Sequence, residues 1–229
     1  MDPHDSRLAR RAATRGHRLV TLRTFVARVL VMLAPCFAAW YFTAPYHAAV
    51  VGPVALKLVE PWRVGLVSSL ERTGHTLSFV TELEVASTAG RAGVLVAEIN
   101  PLVYTYGLAL FVALMLATRA RVWKIAVGAV ALLPFQAWSV AFDFLVQVAV
   151  LSGPDVAARA GLFGWQREVI ALGYQAGTLL FPSLVPVLLW ALFNRDFIAG
   201  LRPKAAETQR VLPRELRADE EYLRRVVDP

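Results

Sequence analysis

The sequence predicts an α-helical membrane protein with four transmembrane helices and a small extracytoplasmic α+β insertion between spans one and two. Three observations carry that expectation. Four long stretches are nearly free of charge: Val29–Leu56, Ile99–Thr118, Ile125–Val150 (interrupted only by Asp143) and Val169–Asn194. A bilayer core about 30 Å thick needs roughly 20 apolar residues in a helix, and each stretch reaches that length. Hydrophobic residues make up 57% of the chain and charged residues 18%, whereas a soluble domain carries nearer a quarter charged. The cations are also unevenly placed: seven Lys/Arg precede the uncharged stretch that begins at Val29, three lie in the turn 119–124, and eight follow the last span.

Taken in order, residues 1–24 are a basic N-terminal segment. The positive-inside rule places it, the turn 119–124 and the charged tail 195–229 in the cytoplasm. An even number of spans agrees with both termini on one side. The basic start serves as a topogenic signal with affinity for anionic lipid. No aromatic interleaving or nucleic-acid motif accompanies it, so a nucleic-acid partner is not expected despite the net charge of +7. Span one, 25–45, is expected to be a retained anchor, because its apolar run outlasts the 7–15 residues of a signal-peptide core. Cys36, the only cysteine, lies inside that span and acts as a small hydrophobe.

Residues 46–99 form the only sizeable module outside the membrane. Its first half, His47 to Arg72, places Val50, Val54, Leu58, Leu66, Val67 and Leu70 at helical spacings, with Pro53 and Pro61 dividing it into short amphipathic helices. Such helices either lie at the membrane interface or cover the module's own sheet. In the second half Leu77, Phe79, Thr81, Leu83 and Val85 alternate with polar neighbours, the period of a strand. A small-residue turn at 86–93 leads to a second β-rich run, Val94–Ile99. The result is a β-hairpin whose open edges are available to a partner strand.

Span two, 100–118, begins with a helix start: Asn100 as cap and Pro101 where a missing N–H costs nothing. Tyr104 and Tyr106 suit an aromatic belt at the interface, and Gly107 permits close helix contact. Span three, 125–151, carries Gln136, Ser139, Asp143 and Gln147 at intervals of three, four and four, hence on one helix face. An extracytoplasmic loop, 152–168, precedes span four, 169–194, where Gln175 and Thr178 add polar groups beside the Gly173–Gly177 pair. Asp143 with these neighbours reads either as interhelical hydrogen-bond glue or as an ion or proton site. Asp143 could bond Gln175, Thr178 or Tyr106.

No enzyme motif accompanies the spans, and no metal site, cofactor site or catalytic residue is expected. The four histidines have no paired ligand spacing, and no G-x-S-x-G, P-loop or dinucleotide fingerprint is present. Cys36 and His47 are separated by roughly 15 Å of helix, too far for a nucleophile–base contact.

The stretch Val96-Ala97-Glu98-Ile99-Asn100-Pro101-Leu102-Val103-Tyr104-Thr105-Tyr106-Gly107-Leu108 resembles the corresponding part of exosortase H-associated membrane proteins. So do the Pro35–Trp40–Pro45 span and the Gly74-His75 hairpin entry, and the likeness covers about residues 25–120. It implies a small bacterial inner-membrane protein associated with an exosortase, a membrane transpeptidase that processes C-terminal sorting signals on exported proteins. The exosortase's own Cys/Arg/His set is not recognisable here. The resemblance therefore implies a non-enzymatic accessory whose partner is the transpeptidase or its substrate. Phe79, Leu83, Asn100, Pro101, Tyr104, Tyr106 and Gly107 are the candidate docking residues. The alternative is a small ion-coupled transporter using the Asp143 stripe, which would call for internal repeats. None is evident: spans one and two enclose a far longer segment than spans three and four.

Overall fold

A computed structural model describes residues 3–86 and 92–201. The chain divides into two units, Met1–Asn194 and Arg195–Pro229. In the second, the described element is the helix α8, Arg195–Leu201. The turn expected at 86–93 and the tail beyond 201 lie largely outside the described residues.

The first unit is mostly helical, with one small sheet. Helix α1 spans Pro3–Val59. Three strands follow: β1 (Val67–Thr73), β2 (Thr76–Ala86) and β3 (Ala92–Ile99). Then come α2 (Leu102–Thr105), α3 (Gly107–Ala117), α4 (Val122–Val146), α5 (Pro154–Arg159), α6 (Trp165–Gln175) and α7 (Phe181–Phe193). A π-helical turn extends α4 over Gln147–Leu151, and another joins α6 to α7 over Ala176–Leu180. Pro182 has no N–H to give Thr178, and the helix widens in the turn just before it.

Among the described residues, three helical stretches are long and apolar enough to cross a membrane: Leu22–Val59, Val122–Leu151 and Trp165–Phe193. The fourth expected span is a shorter apolar helix, Leu102–Ala117, about 24 Å at 1.5 Å per residue. That falls short of a 30 Å hydrocarbon core. Four apolar segments are present; three have spanning length.

The first helix differs most from expectation. It continues through Pro35, Pro45 and Pro53 to Val59 without dividing into short helices. Proline is tolerated inside membrane helices because neighbouring groups satisfy the backbone it frees. Beside Pro45, the Arg72 guanidinium donates to the Pro45 carbonyl and Thr43 Oγ1 donates to Ala39 O at 2.8 Å, although the carbonyl that Pro45 itself leaves without a helical N–H is that of Tyr41. Packing supports the upper part. Ala44, Ala48, Val51, Ala55 and Val59 recur every three or four residues and are all buried.

Residues 67–73 are a strand, not part of an amphipathic helix, so the hairpin gains a third member in the order β1-β2-β3, all antiparallel. Gly74, at φ 61, makes the tight β1–β2 turn. The alternation read along β2 holds: Leu77, Phe79, Thr81 and Leu83 are buried, while Glu82 and Glu84 are exposed. Leu77 pairs with Ile99 and Phe79 with Ala97, so one sheet face is apolar on both strands. That face covers α1 and the far end of α4. Gly52 admits the Leu70 and Leu77 side chains, and Phe79 stacks on Phe144 with ring centroids 5.0 Å apart. Each such buried side chain contributes about 1.5–3 kcal/mol.

Both ends of the helical assembly are fixed by named contacts. At the sheet end, Arg159 donates to Glu84 O at 2.6 Å and Arg63 donates to Arg159 O. The 152–164 connection therefore sits beside the sheet. At the other end Lys124 Nζ donates to Phe193 O at 3.1 Å, and Phe25 stacks on Trp190 at 5.4 Å.

Candidate functional site

The polar stripe of α4 lies where membrane helices, sheet and the α6–α7 helix meet. Helix α4 presents it because Gln136, Ser139, Asp143 and Gln147 advance by three or four residues and so stay on one side. The surroundings then give each a different partner.

Gln136 is 4% exposed. Its Oε1 lies 2.8 Å from His47 Nε2 on α1, a side-chain pair between two apolar surfaces. Ser139 Oγ lies 2.9 Å from both Phe135 O and Gly177 O. It reaches the second carbonyl because Gly177 has no side chain; a Cβ there would sit 2.9 Å from Ser139 Cα. Gly173 performs the same service for Phe142, whose ring would be 2.1 Å from an added Cβ. Trp138 Nε1 donates to Gly173 O at 3.2 Å. The G-x-x-x-G pair thus brings α4 and the α6–α7 helix into backbone-range contact.

Asp143 is half-buried. It accepts from Gln147 Nε2 at 3.3 Å and faces the Tyr104 hydroxyl, which also reaches Tyr174. Gln147 Nε2 lies 3.4 Å from the Glu98 carbonyl of β3, so one amide joins helix to sheet. Counted along α4 from Val122, Asp143 is about 32 Å away. It stands level with the first turn of α2 and the end of β3, where the helices give way to the sheet.

The remaining sequence-derived residues fall elsewhere. Thr178 Oγ1 bonds Tyr174 O of its own helix at 2.8 Å, and Gln175 is exposed. The structure does not bring these two to Asp143. Tyr106 is half-buried, and it is Tyr104, 5% exposed, that meets the carboxylate. His47 and Tyr174 went unread as members of the cluster. Their partners are far away in sequence, so no local spacing marks them.

The docking candidates are mostly internal. Phe79 and Leu83 are 0% and 7% exposed, and Phe79 stacks on Phe144 of α4. Asn100 Oδ1 accepts from Leu102 N at 3.1 Å, the expected role at that helix start. Pro101 is buried. At Gly107 an added Cβ would lie 2.4 Å from Pro182 O, so this glycine lets α3 and α7 touch. Among the described residues no three His, Cys, Asp or Glu side chains converge as metal ligands.

The arrangement can hold three elements in fixed register through neutral hydrogen bonds and one carboxylate. It offers no nucleophile–base pair. A family model, "Exosortase H-associated membrane protein", matches residues 19–197, well over half of the chain. The chain belongs to that family and is a membrane protein. Neither a curated protein nor a solved structure gives a significant match.

Proposed function

We propose that the chain is a non-enzymatic accessory of an exosortase-type envelope protein-sorting system, acting through protein–protein contacts made by its sheet module. Family membership supplies the association with exosortases. The observation that carries the accessory reading is the joint between sheet and membrane helices. Polar groups on α4 meet His47, Tyr104 and Gly177 of neighbouring helices and, through Gln147, the Glu98 carbonyl of β3, so the sheet and the helices are joined through α4. A sheet joined in this way, with free edges, is suited to holding another envelope protein in place. Among the described residues neither edge, β1 or β3, pairs with a further strand. In this reading the Asp143 cluster is structural glue, the sheet faces the extracytoplasmic side of a bacterial inner membrane, and both termini are cytoplasmic.

The test is deletion of the gene with the exosortase retained. Substrate processing or exosortase abundance should fall, and a β1-edge variant, Ser69→Pro, should reproduce the loss while the protein stays at normal membrane levels. Unchanged processing and exosortase abundance in the deletion strain would reject the accessory role.

A further inference from the structure

A wide concavity lies between α1 and α3. It has a volume of about 450 Å³ and is walled by Met32, Cys36 and Trp40 on one side and Ala109, Val112 and Leu116 on the other. These walls run alongside one another for about 12 Å. The indole N–H and the hydroxyl that border the groove are already engaged within the protein. Trp40 Nε1 donates to Thr105 Oγ1 at 3.2 Å, and Thr43 Oγ1 donates to the Ala39 and Trp40 carbonyls. Nothing in the groove offers water the two to four polar partners it needs, so its occupant is wholly apolar. A transmembrane helix, 10–12 Å across, would fill more than about 900 Å³ over the same length. The space suits something narrower.

Charge marks one end. Extending the α1 wall by one turn from Met32 reaches Arg28, and the α3 wall ends three residues before Arg119. Both side chains are exposed, and neither forms an ion pair among the described residues. Arg119 is held at the helix end by its N–H to Leu116 O, 2.9 Å, in a left-handed conformation of φ 54. An apolar slot with two free guanidinium groups at its mouth matches an acyl chain beneath a phosphate.

We propose that the α1–α3 groove is a binding site for one anionic glycerophospholipid, with an acyl chain between Cys36 and Val112 and the phosphate held by Arg28 and Arg119. The site does not depend on the accessory role proposed above.

The experiment uses the full chain in nanodiscs containing phosphatidylglycerol with a diazirine in one acyl chain, and in parallel the phosphatidylcholine version of the same probe. After irradiation, peptide mass spectrometry should find labelling of residues 32–43 and 108–116 several-fold above that of the exposed face of α7 (Leu184, Leu188, Leu192). The enrichment should be several-fold weaker with the choline headgroup. Arg28→Gln with Arg119→Gln, both at exposed positions outside the packing, should reduce the phosphatidylglycerol signal to the choline level. Cys36→Phe should lower labelling with either probe. Uniform labelling along all helices, or equal labelling by the two headgroups, overturns the site. So does a groove occupied by protein instead, seen as Cys36–Cys36 cross-linking of two copies or as cross-linking to another chain's helix.

Discussion

Replacing Phe79 separates two roles for the sheet face that the sequence could not tell apart. Phe79 is fully buried and stacks on Phe144 at 5.0 Å, between Leu77 and Ile99, which are each 1% exposed. Phe79→Ala removes the ring from a site bounded by a helix and two strands, which cannot collapse around the gap. Such truncations cost about 3–5 kcal/mol. At about 2–4 °C per kcal/mol for a chain of this length, the midpoint of thermal unfolding should fall by roughly 6–20 °C. Phe79→Leu keeps most of the volume and should cost under about 1.5 kcal/mol. The assay is tryptophan emission on heating in a mild detergent, together with membrane abundance and recovery of the exosortase in a pull-down. A core residue predicts a graded loss, Leu slight and Ala severe, with partner recovery falling only as abundance falls. If Phe79→Ala melts at the wild-type temperature yet loses the partner, Phe79 is a docking residue and the burial argument is refuted.

The other predictions concern helix contact, the polar joint and sidedness. Gly107→Ala and Gly173→Ala should each destabilise by about 1–3 kcal/mol. The first meets a backbone carbonyl, and the second meets the Phe142 ring, which is pinned by stacking on Trp138 at 4.4 Å. Gly93→Ala, with nothing within 4 Å, should be silent in the same melting assay. Asp143→Asn should keep stability and partner recovery, because an amide still accepts from Gln147, while Asp143→Leu should cost on the order of 1 kcal/mol. Full stability with lost function in the Asn variant would show that ionisation matters. In a Cys36→Ser background, cysteines at Ser69 and Asp155 should react together with a membrane-impermeant thiol reagent in spheroplasts, and one at Arg121 should not. Divided labelling of the first two would contradict the Arg159–Glu84 contact.

Much of the chain was legible from local pattern. Exclusion of charge marked the apolar helices, since an unpaired charge in hydrocarbon is costly wherever it falls. The period of two from Leu77 to Val85 marked the buried face of β2, and Asn100-Pro101 marked a helix start that the structure caps as expected. The glycines at 107, 173 and 177 announced close contacts, though not with which helix.

What the sequence determined by itself is therefore whatever depends on residues a few positions apart: apolar length, strand alternation, a cap, and membership of its family through the Val96–Leu108 stretch. Tertiary structure decided the rest. Strand β1 was unreadable because Leu66, Val67 and Leu70 fit a helix as well as a strand, and only pairing with β2 resolves that choice. Helix α1 passes Pro45 and Pro53 because distant surfaces, the sheet and α4, bury Ala48, Val51 and Ala55. The Gln136–His47 pair joins residues 89 apart, and Asp143 meets Tyr104 rather than Tyr106 because of how the short α2 turn is set against α4. Contacts between distant residues carry no periodicity of their own, so they exist only once the chain has folded.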